Sequence, residues 1–163
     1  KGWSKRFVLT ISIIYVAGLM LELLGTKTGF VFGDYEYGEG LGPKIDAVPP
    51  IIGLNWFLLV YGAASICSRW LKKRHLIAFA GGVLMVIYDV FLESSAIRYN
   101  FWKWSGDQIP WRNYLDWGIS AFVFIYFFLL TFKIQLKNPV AEAIFGLQLL
   151  FFAGLYLDNK FTI

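Results

Sequence analysis

One cysteine, Cys67, and one histidine, His75, are all that this chain of 163 residues has of two side chains prominent in metal and redox sites. A lone cysteine closes no internal disulfide and builds no thiolate metal site. CxxC, HExxH, a Walker loop, a dinucleotide-binding glycine motif and GxSxG are absent too, which leaves zinc, nucleotide and serine-hydrolase chemistry without support. Charge is also scarce. Asp, Glu, Lys and Arg make up 16% of the residues against 58% hydrophobic ones, and the mean hydropathy is +0.58. A water-soluble domain of this size needs more polar surface than that, so the excess faces lipid.

What is present is a set of apolar runs near the length that spans a bilayer, which takes about 20 helical residues. They cover residues 7–24, 50–67, 76–97, 114–132 and 140–157. The expected fold is all-α: a single polytopic transmembrane bundle of about five helices over residues 1–163, with two long aromatic loops on one face. The first run lacks the small-residue cleavage site of a signal peptide and carries Glu22. The chain starts at Lys1 and not at a methionine, so a preceding helix in a longer protein is part of the expectation. With a cytoplasmic N-terminus, nine basic residues fall inside and six outside, the densest cluster being "SRWLKKRH". That bias orients the bundle in the cell's inner membrane and accounts for the net charge of +4 by lipid headgroups, with no nucleic-acid partner.

The polar residues within the runs gather toward the outer half. Glu22 closes the first run, Asn55 opens the second, Asp89 and Glu93 sit late in the third, and Asp116 opens the fourth. Both long connections lie on that side: "GTKTGFVFGDYEYGEGLGPKIDAV", with six glycines, and "RYNFWKWSGDQIPWRNYLDW", with four tryptophans. A structural reading covers much of this. Trp and Tyr collect at bilayer interfaces, Asp116 and Glu142 suit helix N-termini, Glu22 can snorkel, and Gln148 serves as an interhelical hydrogen-bonding group. Asp89 and Glu93 resist it. Spaced i, i+4, they share a helix face with Met85 and Gly81 or Gly82, small residues that admit a neighbouring helix, so the face points inward. Two carboxyls side by side in low dielectric cannot both ionise cheaply, and one is expected to keep its proton. The structural alternative is that they bond only to Arg98, Asn55 or a neighbouring backbone.

"FGDYEYGEGLGPKIDAVPPIIGLNWF" and "YDVFLESSAIRYNFWKWSGDQIPWRNYLDW", taken together, resemble the integral-membrane carotenoid hydratase family. The likeness runs from about residue 22 to 117 and rests on the order and spacing of the tyrosine-glycine-"LGP" loop, the proline-to-tryptophan start of the second run, Asp89-x-x-x-Glu93, "FWKW" and "IPWRNY". Two positions depart from the family's pattern: Ser94 stands where it tends to have proline, and Asp116 where it has glycine.

The resemblance implies cofactor-free addition of water to the acyclic end-group double bond of a carotenoid taken from the lipid phase. Protonation of the alkene leaves a tertiary carbocation that water captures. Asp89 and Glu93 are the expected catalytic pair, one donating the proton and the other positioning water. Tyr35, Tyr37, Trp56, Tyr88, Trp102 and Trp104 are the expected cation-stabilising surface, at about 0.5 to 2 kcal/mol per ring. Asn55 and Asn113 join them as polar substrate contacts, Glu22 and Asp116 are supporting acids, and no metal is expected. Three rivals stay open: a membrane lycopene-type cyclase, in which an internal double bond captures the same cation, a non-catalytic bundle binding a carotenoid or a membrane protein, and a proton or ion carrier.

Overall fold

The computed structural model describes residues 4–132 and 137–161. Five helices run through it: α1 (Lys5–Thr28), α2 (Ile51–Ser68), α3 (Arg74–Arg98), α4 (Trp111–Thr131) and α5 (Pro139–Phe161). Each is long and apolar enough to cross a membrane, which defines an all-α membrane bundle. Their ends follow local chemistry. The Ser4 hydroxyl caps α1 by accepting from the Phe7 N–H at 3.2 Å, and Gly29 closes it in the left-handed conformation. Proline precedes α2 and α4, at Pro50 and Pro110, and opens α5 at Pro139.

The central helix is α2, which packs against the other four. Its buried positions go all the way round, whereas α5 lies at the edge and keeps most of its surface outward. Small residues set the close contacts. A Cβ on Gly81 of α3 would come within 2.6 Å of Ile125 on α4, and one on Gly82 within 3.1 Å of the Gly118 carbonyl. The α3 face bearing Met85, Asp89 and Glu93 is therefore turned into the bundle, with all three buried. On α1 the buried stripe is Thr10, Ile14, Gly18, Glu22 and Gly25, a spacing of four and three that places Glu22 inward beside two glycines.

The two long aromatic loops lie on one face, as expected, and are joined there by a pairing that the sequence did not announce. Tyr35–Tyr37 (β1) and Trp102–Trp104 (β2) pair as an antiparallel ribbon, with Tyr35 opposite Trp104, Glu36 opposite Lys103 and Tyr37 opposite Trp102. Strand geometry alternates the faces, so the four rings point down into the bundle while Glu36 and Lys103 point out. The two loops approach closely around it. A Cβ on Gly38 would sit 2.3 Å from the Asn100 carbonyl oxygen, and Gly33, at φ 117°, lies where a Cβ would strike Pro110 at 2.6 Å.

Candidate functional site

Under the ribbon lie two carboxylate cradles built on one plan. In the first, Glu22 Oε2 accepts from the Tyr35 hydroxyl at 2.5 Å and the Tyr37 hydroxyl at 2.8 Å, while Oε1 accepts from the Trp56 indole N–H at 2.8 Å. In the second, Glu93 Oε2 accepts from the Trp104 indole at 2.8 Å and the Trp102 indole at 3.2 Å. The Asn113 amide nitrogen, from α4, bridges Asp89 Oδ2 at 2.7 Å and Glu93 Oε1 at 3.2 Å. One strand of the ribbon thus serves the α1 carboxylate and the other serves the α3 pair. Burial and the neighbouring Glu22 push the Tyr35 and Tyr37 hydroxyls well above the ordinary phenol range, so both stay protonated as donors.

Every donor to these three buried acids is neutral. Among the described residues the ion pairs are Lys27–Asp46, Lys44–Glu39, Arg69–Glu142, Arg98–Asp158 and Arg112–Asp116, and none includes Glu22, Asp89 or Glu93. The Asp89–Glu93 pair is thus held by Asn113 and two indoles, and not by the Arg98 or Asn55 contact that the structural alternative had. Asp89 Oδ1 is buried with no hydrogen-bond partner. An orphaned oxygen at such depth is costly unless the group has a use for it.

Glu22 and Glu93 both line one small cavity. Trp102, Trp104, Tyr35 and Tyr37 roof it, and Phe32, Trp56 and Trp117 complete an aromatic wall in which Trp56 and Trp117 stack at 4.5 Å. Asn55 and Asn113 supply its remaining polar edges. Its volume, about 30 Å³, is enough to hold water.

Of the sequence-predicted site residues, Glu22, Tyr35, Tyr37, Asn55, Trp56, Glu93, Trp102, Trp104 and Asn113 meet at this cavity. Asp89 stands behind it, joined through Asn113. Tyr88 is buried one helix face away against Phe145 and Phe152 of α5. Asp116 is elsewhere: its Oδ2 accepts from the Phe32 backbone N–H at 2.8 Å and pairs with Arg112, which pins the first loop to α4. The sequence reading missed Phe32 and Trp117 as wall residues. Trp117 had a signal, since it closes the aromatic connection already singled out, whereas Phe32 takes a positive φ of 65° that nothing local announces.

A helical membrane bundle with uncompensated carboxyls beneath an aromatic roof is the class that fold and site define. The chain matches the carotenoid biosynthesis protein family over residues 2–158 and belongs to it. It is similar to the bisanhydrobacterioruberin hydratase of the archaeon Haloarcula japonica, with 30% identity over 135 residues, 77% of this chain and 45% of that protein. The chain therefore spans less than half the length of that relative. No solved structure matches it.

Proposed function

We propose that this protein hydrates the acyclic end-group double bond of a carotenoid by acid–base catalysis, as a hydro-lyase of the carotenoid 1,2-hydratase type. The observation that carries the reading is the pair of carboxyls, Glu22 and Glu93, lining one small aromatic cavity with no cation paired to either among the described residues. The family membership and the hydratase relative support it.

The Asp89–Glu93 pair shares a proton, and Glu93, the member that reaches the cavity, delivers it. The Glu93 O–H bond breaks as a C–H bond forms at the less substituted alkene carbon, and the positive charge settles on the tertiary carbon. The faces of Trp56 and Trp117 stabilise that cation without bonding to it. A water held between the two cradles attacks the cation through oxygen. Its surplus proton passes to Glu22, whose carboxylate is held in place by three neutral donors. The product is a tertiary alcohol, and one proton moving from Glu22 back to the Asp89–Glu93 pair restores the starting state. Water and alkene are consumed in equal number, so no redox partner is required. The basic-residue bias places the N-terminus in the cytoplasm and the ribbon on the far side of the cell membrane.

The test is expression in cells that accumulate an acyclic carotenoid, followed by liquid chromatography and mass spectrometry of the pigments. A more polar product heavier by one water is the expected result. An isomer of unchanged mass would establish a cyclase in its place, and pigment that copurifies without turning over would establish a binding bundle.

A further inference from the structure

The acid-lined cavity is far too small for the length of a C40 chain, so the polyene beside the reacting end group needs a neighbouring space. Two of the apolar hollows on the sides of the bundle border α3. The larger, about 430 Å³, lies between α3 and α4 along Val83, Gly118 and Ile119, and shares no residue with the acid-lined cavity. The smaller, about 190 Å³, lies between α2, α3 and α5 beneath Phe101, and four of its residues, Ile52, Asn55, Leu92 and Trp102, also line the acid cavity. Size favours the first hollow, but the four residues shared with the acid-lined cavity select the second.

The smaller hollow has a further mark of a ligand. Gln148 of α5 lines it, and its Oε1 is buried with no hydrogen-bond partner, so the interhelical role expected for Gln148 is not met at this atom. Tyr88, which does not line the acid cavity, lines the hollow, facing Phe152. At the mouth, Ile51 is 47% exposed on the lipid-facing surface. Leu41 of the α1–α2 loop, Phe101 and the edge helix α5 border the hollow beside Ile51.

We propose that the α2/α3/α5 hollow is the portal and seat for the polyene shaft beside the reacting end group, with Gln148 as the acceptor for a ligand hydroxyl. It rests on the hydratase reading for the identity of the occupant. The entering hydrocarbon has no donor for Gln148. The hydrated end group has one, so the amide grips the alcohol as it withdraws past Trp102 and Leu92. Tyr88 gains a function here, packing the shaft and not the cation.

The experiment uses the full chain in membranes loaded with an acyclic C40 polyene, and reads both conversion and the pigment retained per purified protein. Ile51→Trp plugs the mouth, and Val83→Trp plugs the α3/α4 hollow; both sites are exposed, so neither ring enters the core. Ile51→Trp is expected to lower both readouts about tenfold or more, and Val83→Trp to change neither. Gln148→Leu is expected to keep the hydrocarbon while weakening retention of a hydroxylated polyene about three- to tenfold, the worth of one hydrogen bond. Unchanged conversion and retention in Ile51→Trp, or their loss in Val83→Trp, overturns the portal. Pigment retained by the unmodified chain, lost in Ile51→Trp and never changed in mass sinks hydration but supports the portal. An unmodified chain that neither retains nor converts the polyene overturns both.

Discussion

Two sets of carboxylates near opposite ends of this bundle are held in opposite ways. At the end where α2 finishes and α5 starts, Glu142 meets a guanidinium: Arg69 lies 2.6 Å from Oε2, and Oε1 accepts from the Ser65 hydroxyl at 2.7 Å. Asn138 extends that cluster, its backbone N–H donating to Ser65 and its side chain to the Tyr61 hydroxyl. At the ribbon end, Glu22, Asp89 and Glu93 meet hydroxyls, indoles and one amide. A carboxylate beside a cation is fixed in its charged form and clamps helices together. One held by neutral donors keeps both protonation states within reach, which proton transfer demands. The difference in partners runs with one in burial, since Glu22, Asp89 and Glu93 are buried while the Glu142 side chain is partly exposed.

The largest effect that bears on this contrast comes from Glu93→Gln. Glutamine keeps an acceptor for the Trp102 and Trp104 indoles but has no proton to give. Conversion is expected to fall about 10²- to 10⁴-fold while the folded fraction, followed by thermal unfolding in detergent, stays near that of the unmodified chain. Full turnover in this variant would remove Glu93 from the chemistry and return the pair to a structural role.

Much of this was legible in the sequence, and the exceptions have physical reasons. The five helices follow from the apolar runs, since lipid requires the backbone of each span to satisfy itself. Their ends shifted by a few residues where caps decide: α4 begins at Trp111, directly after Pro110, and not at Tyr114. The inward face of α3 was readable from Gly81, Met85, Asp89 and Glu93. The same reasoning applied to Ile14, Gly18, Glu22 and Gly25 finds the inward turn of Glu22, where a position near the helix end had left snorkelling open. The ribbon was not readable. Its strands are three residues long and come from distant loops, and their alternation of aromatic and charge also fits an interfacial belt.

A middle-sized effect is expected from Trp104→Phe, which keeps a ring under the ribbon but deletes the shorter of the two indole bonds to Glu93. A hydrogen bond to a charged group is worth about 1.5 to 3 kcal/mol, so the rate should fall about ten- to hundredfold. The corresponding change in the other cradle, Tyr37→Phe, removes one of three donors to Glu22. It should cost less, because Tyr35 and Trp56 still hold that carboxylate. Equal losses in the two variants would show that the cradles differ less in role than the acid and base assignment requires.

The smallest effect belongs to the opposite end. Glu142→Gln keeps an oxygen for Ser65 but loses the charge that faces Arg69, a partly exposed pair whose contribution is modest. The unfolding midpoint should drop slightly, and turnover per folded molecule should not change. The variant matters because it is chemically the same substitution as Glu93→Gln. Glutamate becomes glutamine on a membrane helix in both, so any difference in turnover reports the surroundings and not the residue type. If Glu142→Gln silenced the enzyme with its fold intact, proximity of a cation would no longer mark a structural acid. The proton path would then have to run the length of α2, from the Ser65–Glu142 cluster toward Asn55.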